Sequence, residues 1–125
     1  MIVEQQGKIS KAWTLKESGD FVNALKVYNE ILDELNDEAR QYARQLPGTV
    51  IDEGDTRKLM PSFFNAIENH LRRDKIYCTI LNNMGVIYGE AGDQESAARC
   101  FTESIKFTPE GVDFKNPIIG LKQLK

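Results

Sequence analysis

The chain is poor in the residues that carry most enzymatic and metal chemistry. Its 125 residues include one histidine, one tryptophan and two cysteines. Cys78 and Cys100 form no CxxC pair, so neither a zinc site nor a disulfide framework is expected. His70 has no nucleophile motif, phosphate-binding glycine loop or HExxH sequence beside it. We therefore expect a protein that is not an enzyme and has no cofactor and no metal, with both cysteines as reduced core residues.

Long apolar runs and an excess of positive charge are also missing. No segment approaches the roughly 18 consecutive apolar residues of a membrane-spanning helix. The segment MIVEQQGKISK has no apolar run of signal-peptide length. The net charge is -3, whereas nucleic-acid-binding domains usually carry a basic surface. These absences predict a protein of the cytoplasm or nucleus, with a cytoplasmic location favoured, no membrane insertion and no nucleic-acid partner.

Apolar residues at helical spacing fill the stretches between breaks rich in glycine and proline. Because runs of β-branched residues are scarce, the pattern predicts an all-α chain. The predicted helices cover residues 4–18, 21 to about 46, and 61–90, with a fourth after Asp93 and a fifth from its N-cap Asn116. The second helix has a candidate interruption at Asn36-Asp37 and the third at residues 72–75. Residues 47–60 are the longest predicted loop.

The segment LNNMGVIYGEAGDQESAARCFTESIKFTP, residues 81–109, places particular residue types at fixed intervals. They are Leu81, Met84, Gly85, Tyr88, Ala97, Phe101 and Pro109. This spacing resembles the tetratricopeptide repeat, a helix–turn–helix unit of about 34 residues with the pattern W-x2-L-G-x2-Y, A-x3-F and P. The resemblance implies that Gly85 and Ala97 lie where two helices approach closely. Tyr88 and Phe101 would fill the adjacent space, and the proline would end the second helix.

A degraded second copy lies upstream. Gly19-Asp20 matches the turn of the repeat, and Ala24 and Tyr28 match its second helix. The resemblance to the tetratricopeptide family covers residues 8–109. It implies helical hairpins stacked in a right-handed superhelix.

More than two repeat lengths separate the two copies, which leaves two interpretations. A degraded middle repeat could turn at Gly54-Asp55, or one hairpin could have long helices joined by residues 47–60. Pro47 and Pro61 fall inside the helices that a middle repeat would need, so they favour the extended hairpin. That shape is similar to the tetratricopeptide domains of the large immunophilins. The single domain is then divided into repeat one over residues 5–38, extended helices and loop over 39–77, repeat two over 78–111 and a capping helix over 116–125.

In tetratricopeptide proteins the first helix of each hairpin lines a concave groove. The resemblance therefore implies the partner-binding residues Ile9, Trp13, Lys16, Asn82, Asn83, Val86 and Glu90. The amides of Asn82 and Asn83 could pair with the backbone of an extended peptide, or they could satisfy each other. Trp13 could anchor a ligand or pack against a neighbouring helix. Asn83 matches one asparagine of the clamp that binds chaperone tails, but Ile9 and Trp13 replace its lysine and other asparagine, so this ligand is not expected.

The function that follows is that of an adaptor, which would bind a peptide or helix of another protein in the groove without catalysis. Two alternatives stay open. Two repeats are few, since about three are needed for a stable stack, so the chain could form a homodimer. It could also be the targeting fragment of a larger co-chaperone or enzyme.

Overall fold

The computed structural model describes residues 3–53 and 56–124, and this part of the chain is mainly α-helical. Its helices and strands are α1 (Val3–Glu17), α2 (Phe21–Arg44), β1 (Val50–Glu53), β2 (Thr56–Leu59), α3 (Pro61–Leu71), α4 (Ile76–Glu90), α5 (Gln94–Lys106) and α6 (Asn116–Gln123). Within the described residues, no helix combines the length and the apolar character that a membrane span requires.

Two helical hairpins, α1–α2 and α4–α5, close through turns of the same construction. Gly19 and Gly92 adopt φ angles of 85° and 89°, in the left-handed region that glycine enters without steric cost. The backbone N–H of the aspartate that follows each glycine returns to a carbonyl in the last turn of the first helix, at 2.9 Å. The side chains of Asp20 and Asp93 then cap α2 and α5, accepting backbone N–H bonds at 3.3 and 3.1 Å.

The core lies around α2, which packs against α1, α3 and α4. Small residues allow close approach in the first hairpin, where Ala12 and Ala24 are fully buried. In the second hairpin, the hydroxyl of the buried Ser104 on α5 donates to the carbonyl of Cys78 on α4 at 2.6 Å. This buried hydrogen bond fixes the register of α5 on α4.

The segment 47–60 contains an antiparallel hairpin of β1 and β2, with Val50 opposite Leu59. The prediction of a loop is therefore wrong for this segment. In the sequence, the β-branched run Thr49-Val50-Ile51 is followed by glycine and aspartate, which are residue types that favour turns, and this hairpin signal outweighs the nearby prolines. Residues 54 and 55 themselves lie outside the described part of the chain. The hydroxyl of Thr49 donates to a carbonyl in the last turn of α2 at 2.6 Å, which ties the hairpin to that helix.

The predicted third helix is divided into α3 and α4 at the polar residues 72–75. There the Asp74 carboxylate accepts a hydrogen bond from the backbone N–H of Ile76 at 3.0 Å, at the start of α4. In contrast, α2 continues through Asn36-Asp37. The amide of Asn36 donates to the hydroxyl of Tyr77 on α4 at 3.3 Å. Asn36 therefore connects α2 to α4 and does not interrupt α2.

The last helix begins one residue earlier than predicted. Lys115 occupies the N-cap position of α6, and Asn116, the predicted cap, is the first helical residue. Pro117 follows in the first turn, where its missing N–H leaves no hydrogen bond unmade. Its side chain is buried, which anchors the start of α6.

Candidate functional site

A cleft of about 590 Å³ lies between α4 and α6, with α5 contributing to its lining. This volume is in the range of ligand-binding sites in proteins. The side chains that carry its chemistry are Asn82, Val86 and Glu90 from α4, and Asn116, Ile119 and Gln123 from α6. On each of the two helices, one aliphatic side chain, Val86 or Ile119, therefore lies between two polar ones.

The floor of the cleft is the ring of Phe101, which is 3% exposed. The ring contacts two glycines, Gly85 of α4 and Gly120 of α6. A Cβ atom at either position would lie 2.6 Å from a ring carbon, which is well inside van der Waals contact. Glycine at both positions thus lets α4 and α6 approach α5 closely, and this approach defines the walls of the cleft.

Asn82 supplies the unusual polar group of the cleft. The residue is 6% exposed, and its Oδ1 atom is the single buried side-chain nitrogen or oxygen without a hydrogen-bond partner among the described residues. A buried acceptor that stays unpaired costs stability, so nearly all such atoms in native proteins have a partner. Asn82 also lines the cleft, but its Oδ1 atom has almost no exposed surface, so a ligand N–H or O–H donor would reach it only after the amide turns toward the cleft.

Asn83 has a different role from its neighbour Asn82. Its Nδ2 atom donates to the hydroxyl of Tyr28 at 3.3 Å, which connects α4 to α2. Tyr28 is fully buried. Burial raises the pKa of its hydroxyl, although the hydrogen bond from Asn83 and the charge of Lys16 act in the opposite direction. The Asn83 amide is therefore engaged with the core.

Trp13, Lys16 and Glu90 come together where α1 meets α4. The Nζ atom of Lys16 lies 3.2 Å from Glu90 Oε1, 3.6 Å from Glu17 Oε1 and 4.7 Å above the Trp13 ring. Burial alone lowers the pKa of Lys16, but the hydrogen bonds and charges of the two glutamates outweigh it and the pKa is raised. The ammonium group thus stays charged and bridges the two helices.

The remaining predicted residues are placed as follows. Ile9 is half-buried against the core, and Val86 is half-buried in the cleft. Of the predicted repeat residues, Ala24, Tyr28, Gly85, Ala97 and Phe101 are buried, whereas Tyr88 and Pro109 are half-buried. The structure thus brings Asn82, Val86 and Glu90 into one cleft, while Ile9 and Asn83 contact core residues.

The contribution of α6 to the cleft is absent from the predicted site, which treats this helix only as a cap. Asn116, Ile119 and Gln123 recur at helical spacing on the side of α6 that faces α4. The sequence signal is Gly120, a glycine within a predicted helix, which usually indicates close packing against a neighbour.

Neither thiol has the environment of a reactive group. Cys78 is buried and Cys100 is half-buried, and both are free. Burial raises the pKa of Cys78, and it raises that of Cys100 to about 11. Among the residues that the structure describes, no group of three or more His, Cys, Asp or Glu side chains could hold a metal ion.

Neither the protein-family models nor the curated proteins nor the solved structures contain a match to this chain. The functional conclusion therefore depends on the fold and on the cleft between α4 and α6.

Proposed function

We propose that this protein is a non-catalytic adaptor of the tetratricopeptide type that binds an extended segment of another protein in the cleft between α4 and α6. The observation that carries the proposal is the unpaired Oδ1 atom of Asn82 in a cleft with aliphatic walls. The resemblance to tetratricopeptide repeats is supported by the two hairpins, whose turns at Gly19 and Gly92 are built alike.

An extended peptide is the partner that suits these walls. Its backbone presents unpaired N–H and C=O groups, and the amides of Asn82, Asn116 and Gln123 can both donate to and accept from such groups. Val86 and Ile119 offer apolar contacts to the side chains of the bound peptide. Because the cleft is formed by packed helices, little conformational entropy of the receptor is lost on binding.

The test compares two neighbouring isoleucines of α6 with similar exposure. Ile119 is 50% exposed and lines the cleft, whereas Ile118 is 42% exposed and does not. The probe is a phage-displayed library of random linear peptides, selected on the immobilised protein. We expect peptides to be enriched on the wild type and on Ile118→Trp, and binding of those peptides to fall at least about tenfold on Ile119→Trp, because the indole fills the cleft.

Circular dichroism of both variants would show that the helices are intact. Two results contradict the proposal. One is a library without any enriched peptide on the wild type. The other is enrichment that survives Ile119→Trp unchanged, which would place the binding surface elsewhere.

Self-association is the second candidate, and the exposed aliphatic side chains near the end of the chain favour it. Val112 and Ile118 are 37% and 42% exposed outside the cleft. A second copy of the chain could cover them. Light scattering at two concentrations tests this candidate: we expect a dimer whose population grows with concentration and falls in Ile118→Ser. A monomer at both concentrations excludes it.

A further inference from the structure

We infer that the segment bound in the cleft carries a lysine or arginine side chain that binds Glu90. This basic residue lies about four residues along the segment from the residue whose backbone N–H donates to Asn82. This inference rests on the function proposed above and adds the chemistry of the ligand. It is carried by the charge of the cleft, by the positions of its two acceptors and by the groups between them.

Glu90 is the single charged side chain among the described residues that line the cleft. Its carboxylate forms an ion pair with Lys16 at 3.2 Å, and the same lysine lies 3.6 Å from Glu17 Oε1. Among the described residues, neither Lys16 nor Glu17 lines the cleft, so Glu90 alone supplies the formal charge of its walls. The Glu90 side chain is 46% exposed, so a ligand can reach it. The electrostatic complement of the cleft is therefore a cation.

The carboxylate retains capacity for a second partner. Lys16 contacts it at Oε1, and an ionised carboxylate accepts hydrogen bonds at about four lone-pair positions. Lys16 has further favourable contacts with Glu17 and with the Trp13 ring. These contacts hold Lys16 in place even when Glu90 has a second partner. A ligand cation can therefore share the carboxylate with Lys16.

The two acceptors have a defined separation along α4. Asn82, Val86 and Glu90 occupy positions i, i+4 and i+8, which lie on one face of the helix. At about 1.5 Å per residue, the outer two are about 12 Å apart along the axis. An extended peptide rises about 3.3 Å per residue, so it covers this distance in about four residues.

The surface between the two acceptors suits the stem of a basic side chain. Val86 from α4 and Ile119 from α6 line this part of the cleft. Lysine and arginine place their aliphatic stems on apolar surface while the charged head reaches a polar partner. A short acidic or purely aliphatic side chain would leave Glu90 without a new partner and would gain less from the site.

The experiment selects the same displayed library of random linear peptides on three immobilised proteins: the wild type, Glu90→Gln and Glu17→Gln. Glu17→Gln is the matched control, because it removes the other carboxylate beside Lys16 but does not alter the lining of the cleft. We expect lysine or arginine to be enriched on the wild type and on Glu17→Gln. Synthetic copies of those peptides should bind Glu90→Gln about tenfold more weakly, measured by fluorescence anisotropy, and replacing their basic residue by norleucine should have a similar effect.

The results separate this inference from the proposed function. Peptides that are enriched without basic residues, or that bind Glu90→Gln as well as the wild type, overturn the charge assignment while a peptide-binding cleft stands. A library without enriched peptides on any of the three proteins overturns both. Equal losses of peptide affinity in Glu17→Gln and Glu90→Gln also contradict the inference, because they indicate a general electrostatic effect of the surface and not a contact with Glu90.

Discussion

Replacing Gly85 with alanine should lower the free energy of unfolding by about 2 kcal/mol, although alanine is the better helix former. The added Cβ atom would lie 2.6 Å from a carbon of the Phe101 ring. Overpacking of this kind costs about 3 kcal/mol at the upper end of the usual range, and the gain in helix propensity recovers about 1 kcal/mol. The ring cannot easily move aside, because it is nearly fully buried and also contacts Gly120.

Gly7 provides the matched control for this change. It lies within α1, where an added Cβ would meet no atom within 4 Å apart from its chain neighbours and the backbone of its own helix. Gly7→Ala should therefore stabilise the protein by up to about 1 kcal/mol. Urea denaturation followed by circular dichroism measures both variants. In Gly85→Ala combined with Phe101→Leu, the smaller side chain should relieve the clash, so the combined loss should be less than the sum of the single losses. Gly85→Ala as stable as Gly7→Ala would show that α4 and α5 are not in close contact here.

Replacing Tyr28 with alanine should cost about 3–5 kcal/mol, which is the usual loss for a large aromatic residue in a core. Tyr28 is fully buried within the core around α2, and its hydroxyl accepts the hydrogen bond from Asn83 of α4. The substitution therefore leaves a cavity in the core and leaves the Asn83 donor without this partner. A loss of this size is a large part of the stability of an ordinary domain.

Two further variants divide this effect into its parts. Tyr28→Phe keeps the ring and removes the hydroxyl, so it should cost only about 1 kcal/mol. Tyr42→Ala changes a tyrosine of the same helix that is 44% exposed and stacks on His70. That change should cost less than about 1.5 kcal/mol, since little surface is buried there. If Tyr28→Ala unfolds at the same urea concentration as Tyr42→Ala, the core assignment is wrong.

Most helices could be predicted from the sequence because their signals are local. Glycine and aspartate at positions 19–20 and 92–93 specify a left-handed turn followed by a capped helix. Apolar residues at helical spacing then determine which face is buried. These features need no knowledge of the rest of the chain, and the corresponding helix starts agree with the structure.

The hairpin of β1 and β2 could not be recognised as easily. Its strands have four residues each, too few for a clear alternation of apolar and polar residues, so the short β-branched run is its main sequence signal. Its position also depends on a tertiary contact, the hydrogen bond from Thr49 to the end of α2. Local sequence does not encode such a contact.

In the candidate site, too, local sequence predicts some features and tertiary packing determines others. The family resemblance placed Asn82, Val86 and Glu90 in a groove shared with residues of the first helix, whereas the described cleft combines these three residues with α6. The α6 side depends on how that helix packs on Phe101, and this is determined by the fit between the ring and Gly120. Long-range shape complementarity of this kind becomes visible only when the helices are assembled.

Trp13 is the single tryptophan of the sequence, and its exposed ring lies beneath the ammonium group of Lys16, which pairs with Glu90 of the cleft. The emission of an indole depends on nearby charge and on contact with water. The intrinsic fluorescence of the protein therefore originates at one end of the candidate binding surface. It offers a label-free signal for titrations there, without an added dye.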